Sequence, residues 1–312
     1  MDIAQLVKNT YFDRFDELEL EYQLHFASRL YSWSNDQKAL EKLRSLRTTL
    51  VPTNTTTRLA NLHHIKEELA VKNFERDVNN YEQRKPYFEK YPDLLLVHNA
   101  LFRIRHWHCI YGVDERALLF ELLPHTEIDK LIHALRNDTD AIRTLSTYAI
   151  NTFYLYDRLY QSENTLDIEA LFDAGRRYDK TDIKQLQLLT YLYTHCIIGE
   201  TLFYFQPIKT GEDTYQKMLF TVEQIFLENF ERINLDNKLE FLVCAKICGY
   251  NAKIEERIYT EVGSSLHEDG YIVDRLNRNI NPAKQNFLMS EHRNVLYLMS
   301  QTTPQFISKP VQ

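Results

Sequence analysis

The feature that most constrains the fold of this 312-residue chain is a run of fifteen residues, Gln185–Gly199, that contains no Lys, Arg, Asp or Glu. Apolar side chains would occupy nearly every face of a helix drawn through it, and such a helix must be buried. At about 1.5 Å per residue the run covers about 22 Å, which is less than the ~30 Å of a bilayer core. We therefore predict that the stretch from Leu186 to Phe205 is the central helix of a soluble protein.

Scarce glycine and proline favour helices along the rest of the chain. There are seven glycines and eight prolines, and the first glycine is Gly112. Nothing therefore interrupts long segments rich in residues that favour helices. In the second half the amphipathic segments recur as hairpins of about 40–50 residues, a spacing typical of helical repeats. We predict an all-α fold of stacked antiparallel helical hairpins, either closed as an α/α toroid or open as an α-solenoid.

Breaks in the first third of the chain suggest its domain organisation. One amphipathic helix is predicted over residues 11–33, and a polar linker follows from Val51 to Thr57. A long polar helix is then predicted from about Leu59 to Arg84. We predict an N-terminal helical region over residues 1–90, a helical-hairpin core over residues 91–300 and a disordered tail over residues 301–312.

The charge distribution excludes some classes of partner. The net charge is −7, and residues 1–111 hold 16 Lys and Arg against 15 Asp and Glu, whereas the rest of the chain holds 21 against 29. A mildly acidic core does not offer the basic face that nucleic acids require. The N-terminus shows no signal peptide, and four cysteines in a chain this long indicate reduced thiols. We expect a cytoplasmic protein that has no nucleic-acid or membrane partner.

A resemblance to known helical proteins follows from the hairpin rhythm. Cys248-Gly249-Tyr250 closes one predicted helix, and Asp269-Gly270-Tyr271 follows a later one. Over residues 139–300 this pattern resembles α/α-toroid proteins of the terpenoid-cyclase and lanthionine-cyclase kind. Lanthionine cyclases hold zinc with two cysteines and a histidine, of which one Cys and the His are adjacent. Here His195 and Cys196 are adjacent in the reverse order. The resemblance implies a toroid fold and an enzyme with a central cavity.

Three cysteines are the candidate metal ligands. Cys244 and Cys248 are four residues apart on one helix and so share a face, and Cys196 lies on the central helix. In a toroid these helices would be neighbours, and His195, His267 or His292 would complete a tetrahedral zinc site. Free cysteines are also common as small buried apolar residues. We predict no cofactor, with zinc as the alternative.

Five residues are the candidate catalytic groups: Glu200, His267, Asp269, Glu291 and His292. His267 and Asp269 lie on a polar loop, and loops often carry functional residues. Glu291 and His292 begin the last helix, where a partly buried histidine beside a carboxylate would titrate near neutral pH. Glu200 interrupts the most apolar helix, and a buried carboxylate requires a partner. The alternatives are a solvated loop, a helix cap and a structural ion pair.

Two functional hypotheses follow from these observations. The first is a binding or scaffold protein that holds a peptide or a partner protein on a concave helical surface or in a central cavity. The second is an α/α-toroid enzyme with acid and base residues at the mouth of the cavity.

Overall fold

The structure of the protein is a computed structural model, which describes residues 2–71, 81–160, 166–274, 286–307 and 309–311. Within these ranges it contains sixteen α-helices and no β-strand, so the predicted all-α fold is confirmed. In chain order the helices are α1 (Ile3–Asp13), α2 (Leu20–Ser34), α3 (Gln37–Leu50), α4 (Thr55–Val71), α5 (Tyr81–Lys90), α6 (Leu94–Arg105), α7 (Leu118–Leu122), α8 (His125–Arg136), α9 (Thr139–Leu145), α10 (Thr147–Tyr160), α11 (Ile168–Gly175), α12 (Ile183–Glu200), α13 (Glu212–Asn229), α14 (Leu235–Ile247), α15 (Glu255–Ser264) and α16 (Glu291–Ser300). None of these helices, over the residues described, has the length and apolar character that a membrane span requires.

The chain divides into two compact units. The first contains Met1–Ser45 and Asp179–Ser308, and the second contains Leu46–Tyr178 and Lys309–Gln312. This division differs from the predicted boundary at residue 90, because α1 and α2 pack against helices from the end of the chain. For example, the Tyr11 hydroxyl donates to the carbonyl of Phe287 over 3.0 Å. Of the predicted polar helix Leu59–Arg84, residues 72–80 lie outside the described residues.

The uncharged run does form a buried helix, α12. Asp182 caps it by accepting a hydrogen bond from the backbone N–H of Lys184, and twelve of its eighteen residues are buried. Burial is incomplete along one line, where Gln187, Tyr191 and His195 are half-buried at four-residue steps. Residues four apart share a helix face, so α12 has one stripe that reaches solvent.

A left-handed turn ends α12, which is shorter than the predicted Leu186–Phe205. Leu202, Phe203 and Tyr204 have φ angles of 50°, 57° and 73°, a conformation that costs a non-glycine residue roughly 1–2 kcal/mol. The Thr201 hydroxyl stabilises the turn by accepting a hydrogen bond from the N–H of Tyr204 over 3.0 Å. The turn places the Tyr204 ring against the indole of Trp33, with 5.9 Å between ring centroids.

Four helices form the core of the first unit. Helix α16 packs against both α2 and α14, and α14 packs against α12. Helices α2 and α16 run parallel, because Tyr22 contacts Met289 near their starts and Trp33 contacts Thr302 near their ends. In α16 every residue except His292 is buried. Most side chains of the four helices are therefore buried.

The described part of the tail is ordered by hydrogen bonds, contrary to the predicted disorder of residues 301–312. In the first unit the N–H of Gln305 donates to the carbonyl of Trp33 over 2.7 Å, and Ile307 donates to Ser32 over 2.9 Å. In the second unit the N–H of Val311 donates to Ile110 over 2.6 Å. An exposed polar composition suggested disorder, but backbone pairing with α2 fixes residues 305–307.

Replacing Gly270 by alanine is expected to lower the free energy of unfolding by about 2 kcal/mol. Gly270 has a φ of 82°, and a Cβ there would lie 2.5 Å from the Thr10 hydroxyl oxygen on α1. Gly249 is a matched control, because its φ is 60° but a Cβ there would meet nothing within 4 Å. Gly249→Ala should cost only about 1 kcal/mol. Urea denaturation of both variants measures the difference, and equal effects would mean that α1 does not constrain Gly270.

Candidate functional site

A cluster of ionisable side chains lies where α2, α14 and α16 meet. We call His25, Arg29, Asp236, Glu291 and His292 the acid–base cluster. Glu291 is the first residue of α16, and its side chain is fully buried. Its two carboxyl oxygens lie 2.9 Å and 2.8 Å from Nδ1 of His25, which is 30% exposed. A buried carboxyl group is therefore in direct contact with an imidazole that reaches solvent.

The pKa of Glu291 is displaced towards neutrality. Burial raises it to about 7, although the charges of Arg29 and His292 act in the opposite direction. Arg29 Nη1 lies 3.2 Å from Nδ1 of His25, and a guanidinium only donates, so this contact requires Nδ1 to accept. A neutral Glu291 can donate its O–H to the one lone pair of Nδ1 at 2.8 Å, and Arg29 then shares that lone pair at the longer distance, whereas an ionised Glu291 cannot donate. The geometry thus agrees with a proton held on Glu291.

Asp236 is held in the opposite ionisation state. Arg293, which is 4% exposed, donates from Nε and Nη2 to Oδ2 of Asp236 over 3.0 Å and 2.9 Å. His292 Nδ1 donates to Oδ1 over 3.2 Å, since a carboxylate only accepts. Burial alone would raise the pKa of Asp236, but Arg293 and His292 outweigh it and hold that pKa well below its usual range. Asp236 thus fixes the His292 ring and leaves Nε2 to accept a proton.

A second carboxylate–histidine pair lies on α14 and α12. Glu240 is buried, and its Oε2 lies 3.7 Å from Nε2 of His195. The Thr194 hydroxyl donates to Oε1 of Glu240 over 2.5 Å. Burial would raise the pKa of Glu240, but the interactions with His195, His292 and Thr194 lower it. Both carboxylates of α14 are therefore held ionised, whereas the carboxyl group of α16 is not.

This arrangement separates a proton donor from a proton acceptor. The ring centroids of His25 and His292 lie 5.6 Å apart. His25 contacts Glu291, whose pKa is near neutrality, and His292 contacts the ionised Asp236. Groups whose environments move their pKa values apart are the ones that serve as acid and base in enzymes. The acid–base cluster is thus suited to move protons on a molecule bound against the two imidazoles.

The structure separates the five predicted catalytic residues into three places. Glu291 and His292 belong to the acid–base cluster. His267 and Asp269 lie in the turn closed by the backbone bridge between Leu266 and Ile272, where Nδ1 of His267 is 3.4 Å from Oδ2 of Asp269.

The ring of His267 also stacks on Tyr271, with centroids 4.7 Å apart. Asn294 of α16 holds this turn through bonds of 2.8 Å and 2.9 Å with the N–H and carbonyl of Ile272. Polar residues predicted nearby at Arg275, Asn277 and Arg278 lie outside the described residues.

Glu200 ends α12 in a fully buried position. The Tyr215 hydroxyl donates to its Oε2 over 3.4 Å, and the Gln206 side chain donates to its backbone carbonyl over 3.1 Å. These two partners belong to α13 and to the connection between α12 and α13.

The three predicted metal ligands are buried free thiols. Burial raises the pKa of the Cys248 thiol to about 12 and also raises that of Cys244, whose Sγ lies 3.6 Å from the Thr194 carbonyl. Zinc requires thiolates, which burial disfavours. Among the described residues, Cys196 included, no group of three or more His, Cys, Asp or Glu side chains is placed to hold a metal ion. The zinc alternative stays a prediction without support from this geometry.

Four residues of the site were not singled out from the sequence: His25, Arg29, Asp236 and Glu240. His25 and Arg29 are four apart on α2, a spacing that also marks the ordinary edge of an amphipathic helix. Asp236 lies in the first turn of α14, where an acidic residue is ordinary, and Asn234 caps the helix by accepting from the N–H of Asn237 over 2.8 Å. Glu240 was detectable as a lone carboxylate among apolar neighbours.

Replacing Glu291 by glutamine is expected to flatten the dependence of stability on pH. The ordinary pKa of glutamate is 4.5 and that of Glu291 in the folded protein is about 7. Between these values the folded state binds more protons than the unfolded state, so the unfolding free energy falls as pH rises. The fall approaches about 3 kcal/mol. The free energy of unfolding of Glu291→Gln should not show this fall, so that relative to the wild type it should rise by about 3 kcal/mol between pH 4 and pH 8.

Urea denaturation at a series of pH values measures this difference. Glu231→Gln is the control, because Glu231 forms an exposed ion pair with Arg257 in the same unit. Its stability curve should run parallel to that of the wild type. A parallel curve for Glu291→Gln as well would mean that Glu291 titrates at its ordinary pKa.

A shallow surface depression of about 640 Å³ is also present in the first unit. It is lined by residues of α15 and the segment before it: Ala252, Lys253, Glu255, Glu256, Tyr259 and Thr260. None of them belongs to the acid–base cluster, and none has a partner arrangement that suggests chemistry.

Comparison of the chain with models of protein families, with curated proteins and with solved structures gave no match. The chemistry of the acid–base cluster therefore follows from its own geometry alone.

Proposed function

We propose that the protein is an enzyme that catalyses general acid–base chemistry at the acid–base cluster. The observation that supports this most directly is the contact between the buried carboxyl group of Glu291 and the half-exposed imidazole of His25. A carboxyl group with a pKa near the operating pH is an efficient proton donor. The suitable reactions remove a proton from one atom of a substrate and deliver one to another, as in hydrolysis, elimination or isomerisation.

The proposed proton transfers use both imidazoles. His292, with Nδ1–H bonded to Asp236, takes a proton from the substrate on Nε2, and the charge of Asp236 stabilises the resulting imidazolium. His25 donates its Nε2 proton to the leaving or rearranging atom. As Nε2 loses this proton, Glu291 delivers its own proton to Nδ1 of His25, so that the ring stays neutral. A proton from solvent then returns to Nε2 while the Nδ1 proton goes back to the Glu291 carboxylate, and His292 releases its proton to solvent. The enzyme thus ends each cycle in its starting state.

A comparison of metabolite consumption tests this function. The wild-type protein and Glu291→Gln are incubated with a small-molecule extract, and the change in each compound is followed by mass spectrometry. We expect at least one compound to be consumed by the wild type, with a loss of about 10²–10⁴-fold in Glu291→Gln. Glu231→Gln should consume it at the wild-type rate. Equal consumption by wild type and Glu291→Gln, or no consumption by either, would overturn the proposal.

A binding protein for a peptide is the second candidate. It is favoured by Met289, which is 43% exposed and accepts a hydrogen bond from Tyr22 over 3.7 Å. Exposed apolar groups beside charged side chains are typical of contact surfaces. In that case the incubated extract would contain a compound that is retained by the protein and released unchanged. Retention without consumption therefore separates the two functions.

We also propose a toroid arrangement and a cytoplasmic location. The near-complete burial of α12, α14 and α16 supports a closed toroid, since its inner helices are covered on most sides. The free state of all four cysteines supports a reducing compartment.

A further inference from the structure

The face of α2 that carries His25 has different chemistry on its two sides. Tyr22, His25 and Arg29 follow each other at steps of three and four residues, and all three are half-buried. They therefore share one face of the helix. At about 1.5 Å per residue, Tyr22 lies about 4.5 Å before His25 along the helix axis, and Arg29 lies about 6 Å after it.

Arg29 has no carboxylate partner among the described residues. Other arginines of the first unit pair with carboxylates, as Arg293 does with Asp236 and Arg14 does with Glu17. The contacts of Arg29 are Nδ1 of His25 at 3.2 Å and the ring of Tyr204, whose centroid lies 5.5 Å from the guanidinium carbon. A guanidinium carries five N–H donors and matches carboxylate and phosphate geometry. A half-buried guanidinium that forms no direct ion pair is suited to an oxyanion.

The left-handed turn after α12 supports the position of this guanidinium. It holds Tyr204 between Trp33 and Arg29, and Tyr204 is 1% exposed. Three successive residues with positive φ persist only where the surroundings over-determine them, and such strain is concentrated at functional sites. The Tyr204 ring is thus held in a fixed position against the Arg29 guanidinium.

The opposite side of His25 is apolar. Tyr22 and Met289 are in contact there, and Met289 is 43% exposed. Met289 and His292 are three residues apart, at the N-terminal end of α16 and the short 3₁₀ helix Leu288–Ser290 before it. The apolar contact therefore borders both imidazoles of the acid–base cluster.

We propose that the substrate is an amphipathic organic anion, whose carboxylate or phosphate binds Arg29 and whose apolar part binds Tyr22 and Met289. Its reacting atoms then lie between His25 and His292. This inference rests on the proposed function, because it names the substrate class of the same site. The cluster's other charges do not oppose it: Asp236 is neutralised by Arg293, and a protonated Glu291 adds no negative charge.

Three probes test the substrate class by NMR of the histidine side chains. They are 4-phenylbutyrate, phenyl phosphate and the matched cation 4-phenylbutylamine. We expect both anions to shift the His25 and His292 resonances saturably, and we expect the amine to leave them unchanged. The anion that binds more tightly identifies the oxyanion. Shifts by the amine equal to those by the anions, or no shift at about 20 mM of either anion, would overturn the inference.

Variants assign the contacts. Arg29→Gln should lower the affinity of the protein for both anions by about tenfold or more, whereas Arg29→Lys should retain part of that affinity. Met289→Gln should lower the affinity for 4-phenylbutyrate, which has an apolar part, but should leave the affinity for inorganic phosphate unchanged. Thermal denaturation confirms that each variant is folded. Unchanged binding in a folded Arg29→Gln variant would also overturn the inference.

Failure of this inference is separable from failure of the proposed function. Turnover that depends on Glu291 would persist if the substrate were of another class.

Discussion

Replacing Lys238 by methionine is expected to lower the free energy of unfolding by about 3–5 kcal/mol, one of the largest effects of any single substitution in the protein. The Lys238 side chain is 1% exposed, and its Nζ lies 2.5 Å from Oε2 of Glu261. It also lies 3.9 Å from the ring centroid of Phe230. Burial lowers the pKa of Lys238, although Glu261 acts in the opposite direction. Methionine keeps the volume but leaves the Glu261 carboxylate buried without its ammonium.

A double variant and a surface pair separate charge from packing. Lys238→Met combined with Glu261→Leu replaces both charges by apolar groups, and we expect its stability to be within about 1 kcal/mol of the wild type, or higher. Lys246 and Glu255 also link α14 to α15, but they are 27% and 29% exposed. Lys246→Met should therefore cost less than about 1 kcal/mol. Guanidinium denaturation measures all three. A single Lys238→Met variant as stable as Lys246→Met would refute the argument.

Replacing Asp236 by asparagine is expected to cost about 3–4 kcal/mol at pH 7. Asparagine keeps the shape of the side chain but removes the charge that neutralises Arg293, which is buried. Since the folded pKa of Asp236 is depressed, the stability it contributes is present above its unfolded pKa and is lost as pH falls through the folded value. The difference between Asp236→Asn and the wild type should therefore shrink in acid.

An exposed pair of the same chemistry is the control for Asp236→Asn. Arg14 donates to both carboxylate oxygens of Glu17, with distances of 3.0 Å and 2.6 Å, and Glu17 is 55% exposed. Glu17→Gln should cost much less than Asp236→Asn, because exposed pairs are solvated in both states. Chemical denaturation at pH 7 and pH 3 compares the two variants. Equal costs at pH 7 would show that burial of Arg293 does not set the energy of the pair.

The sequence predicted the helical elements well where local pattern determines them. The uncharged run predicted buried α12 because composition alone requires burial there. The prediction failed at residues 201–205, since the apolar character of Leu202 and Phe203 suits a buried turn as well as a helix. The predicted helix over residues 11–33 is likewise divided into α1 and α2. Phe15 and Leu18 keep the apolar spacing through the break and are 1% and 3% exposed.

Only part of the candidate site could be predicted, because its residues are far apart in the sequence and close together only in the folded chain. Glu291 and His292 stood out as adjacent acid and base residues at a helix start. Their partners His25 and Asp236 lie 266 and 56 residues away along the chain. No local pattern encodes such pairings, which depend on the packing of α16 against α2 and α14. Arg29 was hidden for the same reason, since an arginine on an amphipathic helix usually faces solvent.

The parallel pairing of α2 with α16 also has a consequence during synthesis. The ribosome must add the 266 residues that separate His25 from Glu291 before the two can meet. At about 5–20 residues per second this takes on the order of 10 to 50 s. During that interval the face of α2 that packs against α16 has no partner to cover it. A nascent chain of this protein therefore exposes an apolar surface until α16 emerges from the ribosome, and such transiently exposed surfaces favour aggregation.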